Sequence, residues 1–490
     1  MRGLLIVSVV ALLALSGAAW LMGSPVLRGL AGRVAGEDAG VPARTEGPRT
    51  EAMVRLVGSS VREVELERSG RHETLRETPQ GWMLTIEDGG STGASWPVDA
   101  DRVRALLRLL ADTRGEVSSA GEALAGATLR LRGEGAEIEI TLPRDALAGT
   151  ALVRVRTGGS GSSGADASAS GDRWLRIPDD LQRALVGTGF EAWRTGQAFA
   201  LLSLARPARI EMARADSRLS LARLGDRWTI REPVSASADT PAVDALVRTL
   251  ASVRVREFVP GQADLGAIAS EQGAHAVIRV ESDRREEING EVARLVLAQE
   301  VAILGTGGVS GETVRAIAQI TETNTRSGET RIVAGPVHVL LEGAALTGLR
   351  FDPGPLASKR SLQRPAGDVV RVTVTRGDAS LAYERWSRGW SRAGEEEPVD
   401  AGVARAIDAC LAMIADADAD ASEVKAGPVT NSRARIDLDL LGGERVSLEL
   451  GAPSGTAKAL ELGDGAFTRT YTEGAAARIE AFDAILPREE

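Results

Sequence analysis

Chemistry-bearing side chains are scarce in this sequence: one cysteine, Cys410, and three histidines, His72, His275 and His338, in 490 residues. A lone thiol excludes an internal disulfide framework. Histidines this far apart, with no HExxH or CxxC spacing, give no sequence-local metal set. Aromatic residues make up only 3% of the chain, and lysine occurs only at 359, 425 and 458. The cationic charge is therefore almost all arginine, which reads as genome composition. Net charge is −10, which argues against a nucleic-acid footprint.

What is present is a repeat. In Ser217–Leu250, Leu219, Leu221 and Arg223 alternate up to Gly225–Asp226, and Trp228 and Ile230 alternate after it. A Gly-Asp pair between two period-2 runs signals a hairpin. Asp239 follows as a helix cap, Pro241 sits in the tolerated first turn, and Val243, Leu246, Val247 and Leu250 form one helical stripe. The same order occurs around Trp82, with Asp99 and then Val103, Leu106, Leu107 and Leu110. It occurs a third time around Trp390, with Asp400 and then Val403, Ile407 and Leu411. A spacing of roughly 150 residues means duplicated domains rather than a solenoid.

Each helix is followed by more strand-like runs: Thr128–Leu142, Leu152–Arg156 and Trp174–Ile177; Ala276–Glu281 and Ala293–Leu304; Ala434–Leu440, Val446–Leu450 and Phe467–Tyr471. Short helices are expected at Leu181–Val186, near Val314–Ile320 and at Ala475–Phe482. The fold class is α+β, with repeated antiparallel sheets each packed by one main helix. Residues 52–200, 205–350 and 366–490 are expected to be three related domains.

Ahead of them stands one uncharged apolar run, Leu4–Met22, after Arg2. It nears the ~20 residues that cross a bilayer as a helix. Ser16–Ala18 would serve as a cleavage site, but the run continues through Trp20 to Met22, so residues 1–22 read as an anchor rather than a cleaved signal. The expected location is the cell inner membrane, held by a single-pass helix, with the bulk of the chain outside the cytoplasm. Residues 23–51 read as a flexible stalk.

Candidate chemistry is thin. VAILGTGGVSGETVRAI, residues 301–317, imitates a dinucleotide-binding strand–glycine–helix turn, with Ser310 where the third glycine belongs. Asp416, Asp418 and Asp420 resemble the opening of a calcium loop, yet Ala421 and Gly427 replace its glycine and glutamate. Cys410 lies on the apolar stripe of its helix and reads as a small core residue. Trp82, Trp228 and Trp390 read as anchors between sheet and helix, against the alternative of an aromatic ligand platform. No catalytic, cofactor-binding or metal-binding residue is assigned.

The phrase LGDRWTIREPVSASADTPAVDALVRTLASVRVREFV, residues 224–259, resembles a family of bacterial envelope proteins of unknown function, with fainter likeness over 61–114 and 370–415. The resemblance implies an N-terminal membrane segment and genes that neighbour ABC-type transporter and gliding-motility components. It implies no catalytic residues. The expected function is thus a non-enzymatic accessory subunit that contacts transporter subunits or envelope components. The alternatives are an exported hydrolase, or a solute-binding protein with a site assembled between domains.

Overall fold

The computed structural model describes residues 49–487, apart from 55–60, 89–90, 119–124, 134–135, 147–148, 160–171, 260–274, 289–290, 305–312, 348, 350, 416–420, 454–458 and 473. Three antiparallel sheets carry most of this chain. The first holds β1 (Thr50–Ala52), β2 (Val61–Arg68), β3 (Arg71–Thr78), β4 (Gly81–Asp88), β5 (Ser91–Thr92), β6 (Trp96–Pro97), β7 (Arg114–Ser118), β8 (Ala125–Gly133), β9 (Ala136–Pro143), β10 (Thr150–Gly159) and β11 (Arg173–Pro178). The second holds β12 (Arg209–Arg214), β13 (Arg218–Leu224), β14 (Arg227–Glu232), β15 (Ala236–Ser237), β16 (Val255–Val259), β17 (Ala276–Ile288), β18 (Glu291–Ile303), β19 (Thr313–Asn324) and β20 (Thr330–Glu342). The third holds β21 (Val369–Arg376), β22 (Ala379–Trp386), β23 (Gly389–Arg392), β24 (Glu423–Ala426), β25 (Ser432–Leu440), β26 (Arg445–Gly451), β27 (Leu460–Gly463) and β28 (Phe467–Tyr471).

One strand order is used three times: β4-β3-β2-β8-β9-β10-β11-β7, then β14-β13-β12-β17-β18-β19-β20-β16, then β23-β22-β21-β25-β26-β27-β28-β24. A three-stranded meander reaches one edge of the sheet, and a helix carries the chain across. The next strand lies at the far end of this order, where β1 adds outside β7 in the first sheet, and a four-stranded meander fills the space between. The crossing helices are α1 (Ala100–Asp112), α2 (Thr240–Ser252) and α3 (Ala401–Ala415). Their caps are the aspartates expected: the carboxylates of Asp99, Asp239 and Asp400 accept from the N–H groups of Asp101, Ala242 and Gly402 at 2.9, 3.2 and 2.7 Å. A carboxylate there satisfies an N–H that the helix leaves unpaired and opposes the helix dipole favourably.

Period-2 alternation chooses the faces. Val64 and Leu66 on β2, Leu129 and Leu131 on β8, and Ile138 and Ile140 on β9 are buried with α1. The intervening Glu63, Glu65, Arg130, Arg132, Glu137 and Glu139 pair across strands on the opposite face. The tryptophans lie where the repeat pattern puts them. Trp82 shares a core with Val103, Leu106 and Leu110, Trp228 with Val243, Leu246 and Leu250, and Trp390 with Ile407, Cys410 and Leu411. Each tryptophan's C=O accepts from the N–H of the residue just before the capping aspartate: Val98 at 3.0 Å, Ala238 at 3.1 Å and Val399 at 2.8 Å. The middle core also takes in Met83 and Trp96 from the first repeat and Phe467 from the third.

Some expectations are overturned. The helix near Val314–Ile320 is strand β19: Val314, Ala316, Ala318 and Ile320 alternate, and the strand is held between β18 and β20. Small alanines fit a helix by propensity, but pairing on both edges decides. β1 begins at Thr50, inside the stretch read as stalk. The inner-membrane location with a single-pass anchor is also corrected. No helix among the described residues is long and apolar enough to cross a membrane. The longest crossing helix, α3, has 15 residues, or ~22 Å against a ~30 Å hydrocarbon core. The run at residues 4–22 lies outside the described residues.

Candidate interaction surface

The histidines do not meet. His72 is on β3, with Nε2 4.0 Å from Glu65 Oε2, whereas His275 directly precedes β17 and His338 is on β20, opposite Ile317. Among the described residues, no group of three His, Cys, Asp or Glu side chains is placed to hold a metal ion. Cys410 is buried, and burial pushes its thiol up to about 12, far from the depressed value that a nucleophile needs. Asp416, Asp418 and Asp420 lie outside the described residues, as do Gly305–Gly311. The next described element is strand β19 rather than the helix whose N-terminus would hold a pyrophosphate in the dinucleotide-binding motif. The three repeat tryptophans are buried and offer no ring to a ligand.

A cleft of about 470 Å³ opens between the β12–β13 turn and the chain after β20, lined by Arg214, Ser217, Leu349, Phe351, Asp352 and Pro353. Its single aromatic ring, Phe351, is already covered by the Arg214 guanidinium at 4.5 Å. A solute would find no free aromatic face in it.

The surfaces with a repeated, specific geometry are the seams between repeats. After β11 the chain makes one 3₁₀ turn, Glu191–Trp193, and lies along the residues that cap α1. Asp99 N–H donates to Trp193 C=O at 3.0 Å, and Thr195 N–H donates to Pro97 C=O at 2.9 Å, a two-bond bridge between Val98 and Arg194. The same chain then meets the end of α2, where Ala198 N–H donates to Val253 C=O at 3.0 Å. The second seam repeats this. A 3₁₀ turn at Gly354–Leu356 leads to a bridge between Ala238 and Ala357. Asp239 N–H donates to Leu356 C=O at 2.8 Å, and Ser358 N–H donates to Ser237 C=O at 2.9 Å. Leu362 N–H then donates to Ile414 C=O in the last turn of α3, at 2.8 Å. Each linker thus ties the start of one crossing helix to the end of the next.

Burial and charge fix these linkers. Arg194 is largely buried, and burial pulls its guanidinium below the usual arginine range; it lies 4.9 Å over the Phe258 ring, where cation–π attraction offsets part of the desolvation. At the first seam the β3–β4 turn is also covered: Gln80 is buried, and its Nε2 donates to Glu322 Oε2 on β19 at 2.6 Å. At the second, Arg469 Nε donates to Ser358 C=O at 2.8 Å.

The third repeat presents the same cap region uncovered. Its cap region is the same tetrapeptide, Pro-Val-Asp-Ala at 398–401 as at 97–100. Val399 N–H donates to Trp390 C=O as its counterparts do, yet among the described residues no segment pairs along the outer side of Pro398–Asp400. Pro97 is buried and Pro398 is exposed. The hairpin beside it, Trp386-Ser387-Arg388-Gly389-Trp390, matches Thr78-Pro79-Gln80-Gly81-Trp82. Gly389 and Gly81 both hold a positive φ, +119° and +110°, where a side chain is strained. Trp386, in the place of Thr78, is 60% exposed. Glu395, Glu396 and Glu397, just before Pro398, are exposed as well.

The sequence reading missed this surface, although the repeated Pro-Val-Asp-Ala and Gly-Trp pairs were there to find it. Compared with family models and with curated proteins, the chain matches none.

Proposed function

We propose that the chain is a non-enzymatic interaction protein of three related domains, 52–200, 205–350 and 366–490. It serves as an accessory subunit of a transport or envelope machinery of the kind the resemblance implies. The observation that supports this reading is Trp386. A large aromatic side chain, 60% exposed, stands on the hairpin that precedes Pro398–Asp400, and among the described residues no segment pairs with the outer side of that stretch, whose counterparts in the first two repeats are bridged by a linker. Tryptophan and arginine are the residues that most often carry binding energy at protein interfaces. The charged outer face of the first sheet suits solvent or a polar rim and adds specificity rather than affinity.

Co-purification from the source cells tests it, with wild-type and Trp386→Ser chains compared at equal expression. Removal of an exposed side chain should change stability by less than ~0.5 kcal/mol, so folding is not in question. Transporter or envelope subunits that come down with the wild type and drop several-fold with Trp386→Ser are expected. Recovery of the same proteins in the same amount with both chains, or of none, overturns the reading.

A further inference from the structure

We propose that the outer edge of Pro398–Asp400 is the docking site for an extended, basic segment of a partner protein, which adds to it in the register the two internal linkers use. The inference rests on the interaction reading above and names the partner's chemistry.

The chain supplies the template for its own ligand. Both linkers put one 3₁₀ turn before the bridge, end that turn in a large apolar residue (Trp193 or Leu356), and follow the bridging residue with a hydroxyl side chain (Thr195 or Ser358). Backbone pairing needs only an N–H and a C=O on the receiving side, and Asp400 and Pro398 place these as Asp99 and Pro97 do. Addition of an extended segment to an open edge gives affinity through the main chain and selectivity through the side chains.

Charge then chooses the segment. In an antiparallel bridge on Val399, the two residues after the hydroxyl come opposite Glu397 and Glu396. The second linker carries Lys359 and Arg360 at those places. In the first repeat Trp96 and Ser95 precede Pro97, and the two residues after Thr195 are neutral, Gly196 and Gln197. Ser95-Trp96 and Ser235-Ala236 carry no charge at these places, whereas the exposed run Glu395–Glu397 of the third repeat favours a cationic segment. Trp386 lies on the adjoining hairpin.

The probe is a fluorescently labelled synthetic peptide of residues 352–362, DPGPLASKRSL, titrated into the full chain. Saturable binding is expected, with slowed amide exchange at Asp400, whose counterparts Asp99 and Asp239 donate to the linkers. Reversal of both cations in the peptide (Lys359→Glu with Arg360→Glu) should weaken binding at least about tenfold, as should Ser358→Pro, which removes the donated N–H. The chain variant Glu396→Lys with Glu397→Lys should restore binding of the charge-reversed peptide. No binding, protection at Ser237–Asp239 instead, or indifference to Ser358→Pro overturns the proposal. So does concentration-dependent self-association of the chain that the peptide displaces, since the occupant would then be a second copy. If Trp386→Ser abolishes co-purification while the peptide fails to bind, the interaction reading stands and this edge is not its site.

Discussion

Trp228→Ala should loosen the middle repeat and reach into both neighbours. Trp228 is 1% exposed. An indole of ~200 Å² at ~25 cal/mol/Å² contributes about 5 kcal/mol by burial. Its Nε1 has no hydrogen-bond partner in the core, so removing the ring also relieves a desolvation cost of ~1–2 kcal/mol. The net loss is ~3–4 kcal/mol, within the ~3–5 observed for such truncations. Hydrogen exchange read by mass spectrometry is the assay, because it reports each element separately. A loss of that size corresponds to ~10²–10³-fold faster exchange in β14 and α2. Met83, Trp96 and Phe467 belong to the same core, so β4, β6 and β28 should loosen too. Trp390 gives the contrast. Its Nε1 donates to Asp408 Oδ1 at 2.9 Å, and Arg385 covers its ring at 4.5 Å. Trp390→Phe should therefore cost ~1–2 kcal/mol more than Trp228→Phe. Wild-type exchange in β14 and α2 after Trp228→Ala would refute the anchor, and loosening confined to the second sheet would refute the shared core.

Two further outcomes come from ionisation. Partial burial pushes the Glu63 carboxyl up, but hydrogen bonds from Arg76 and Arg132 outweigh it and hold the group below its ordinary 4.5. A depressed folded value stabilises above the ordinary value and is lost as pH falls below it. Urea midpoints between pH 6 and pH 3 should thus fall less for Glu63→Gln than for wild type in the first sheet; equal slopes would count against these bonds. Burial pushes Cys410 up to about 12, so at pH 8 only ~1 in 10⁴ thiols is ionised. A thiol reagent should label Cys410 only after denaturation, and rapid labelling of the native chain would place it at the surface.

The local grammar was legible because short-range physics writes it. Gly225–Asp226 makes a hairpin, Asp239 caps a helix, and a four-position stripe tells which face of α2 is buried. Each is decided within a dozen residues. β19 was misread because its assignment depends on partners on both sides, and Val314–Ile320 carries apolar residues on successive positions that suit either period. The joining of each three-stranded meander to its four-stranded meander in one sheet was invisible for the same reason. The β12–β17 ladder, with Ile210 opposite Val280, is a pairing between segments that no local signal connects. The seam surface needed the repeat to be compared with itself, since Pro97 and Pro398 differ only in what covers them.

The position of the strand after each crossing helix has a kinetic consequence. β16 leaves α2 early in its repeat, yet it pairs with β20, where Val255 meets Leu341. Until β17–β20 have formed, β16 has no neighbour in its own sheet. Such distant pairings require loop closure before any contact repays it, and they slow folding relative to local topologies. A nascent repeat emerging from the ribosome therefore holds its first meander and helix against an incomplete sheet, with a bare ladder edge along β12. The protein is most open to wrong pairing in that interval, when three near-identical strand orders on one chain offer each other the same unpaired edge.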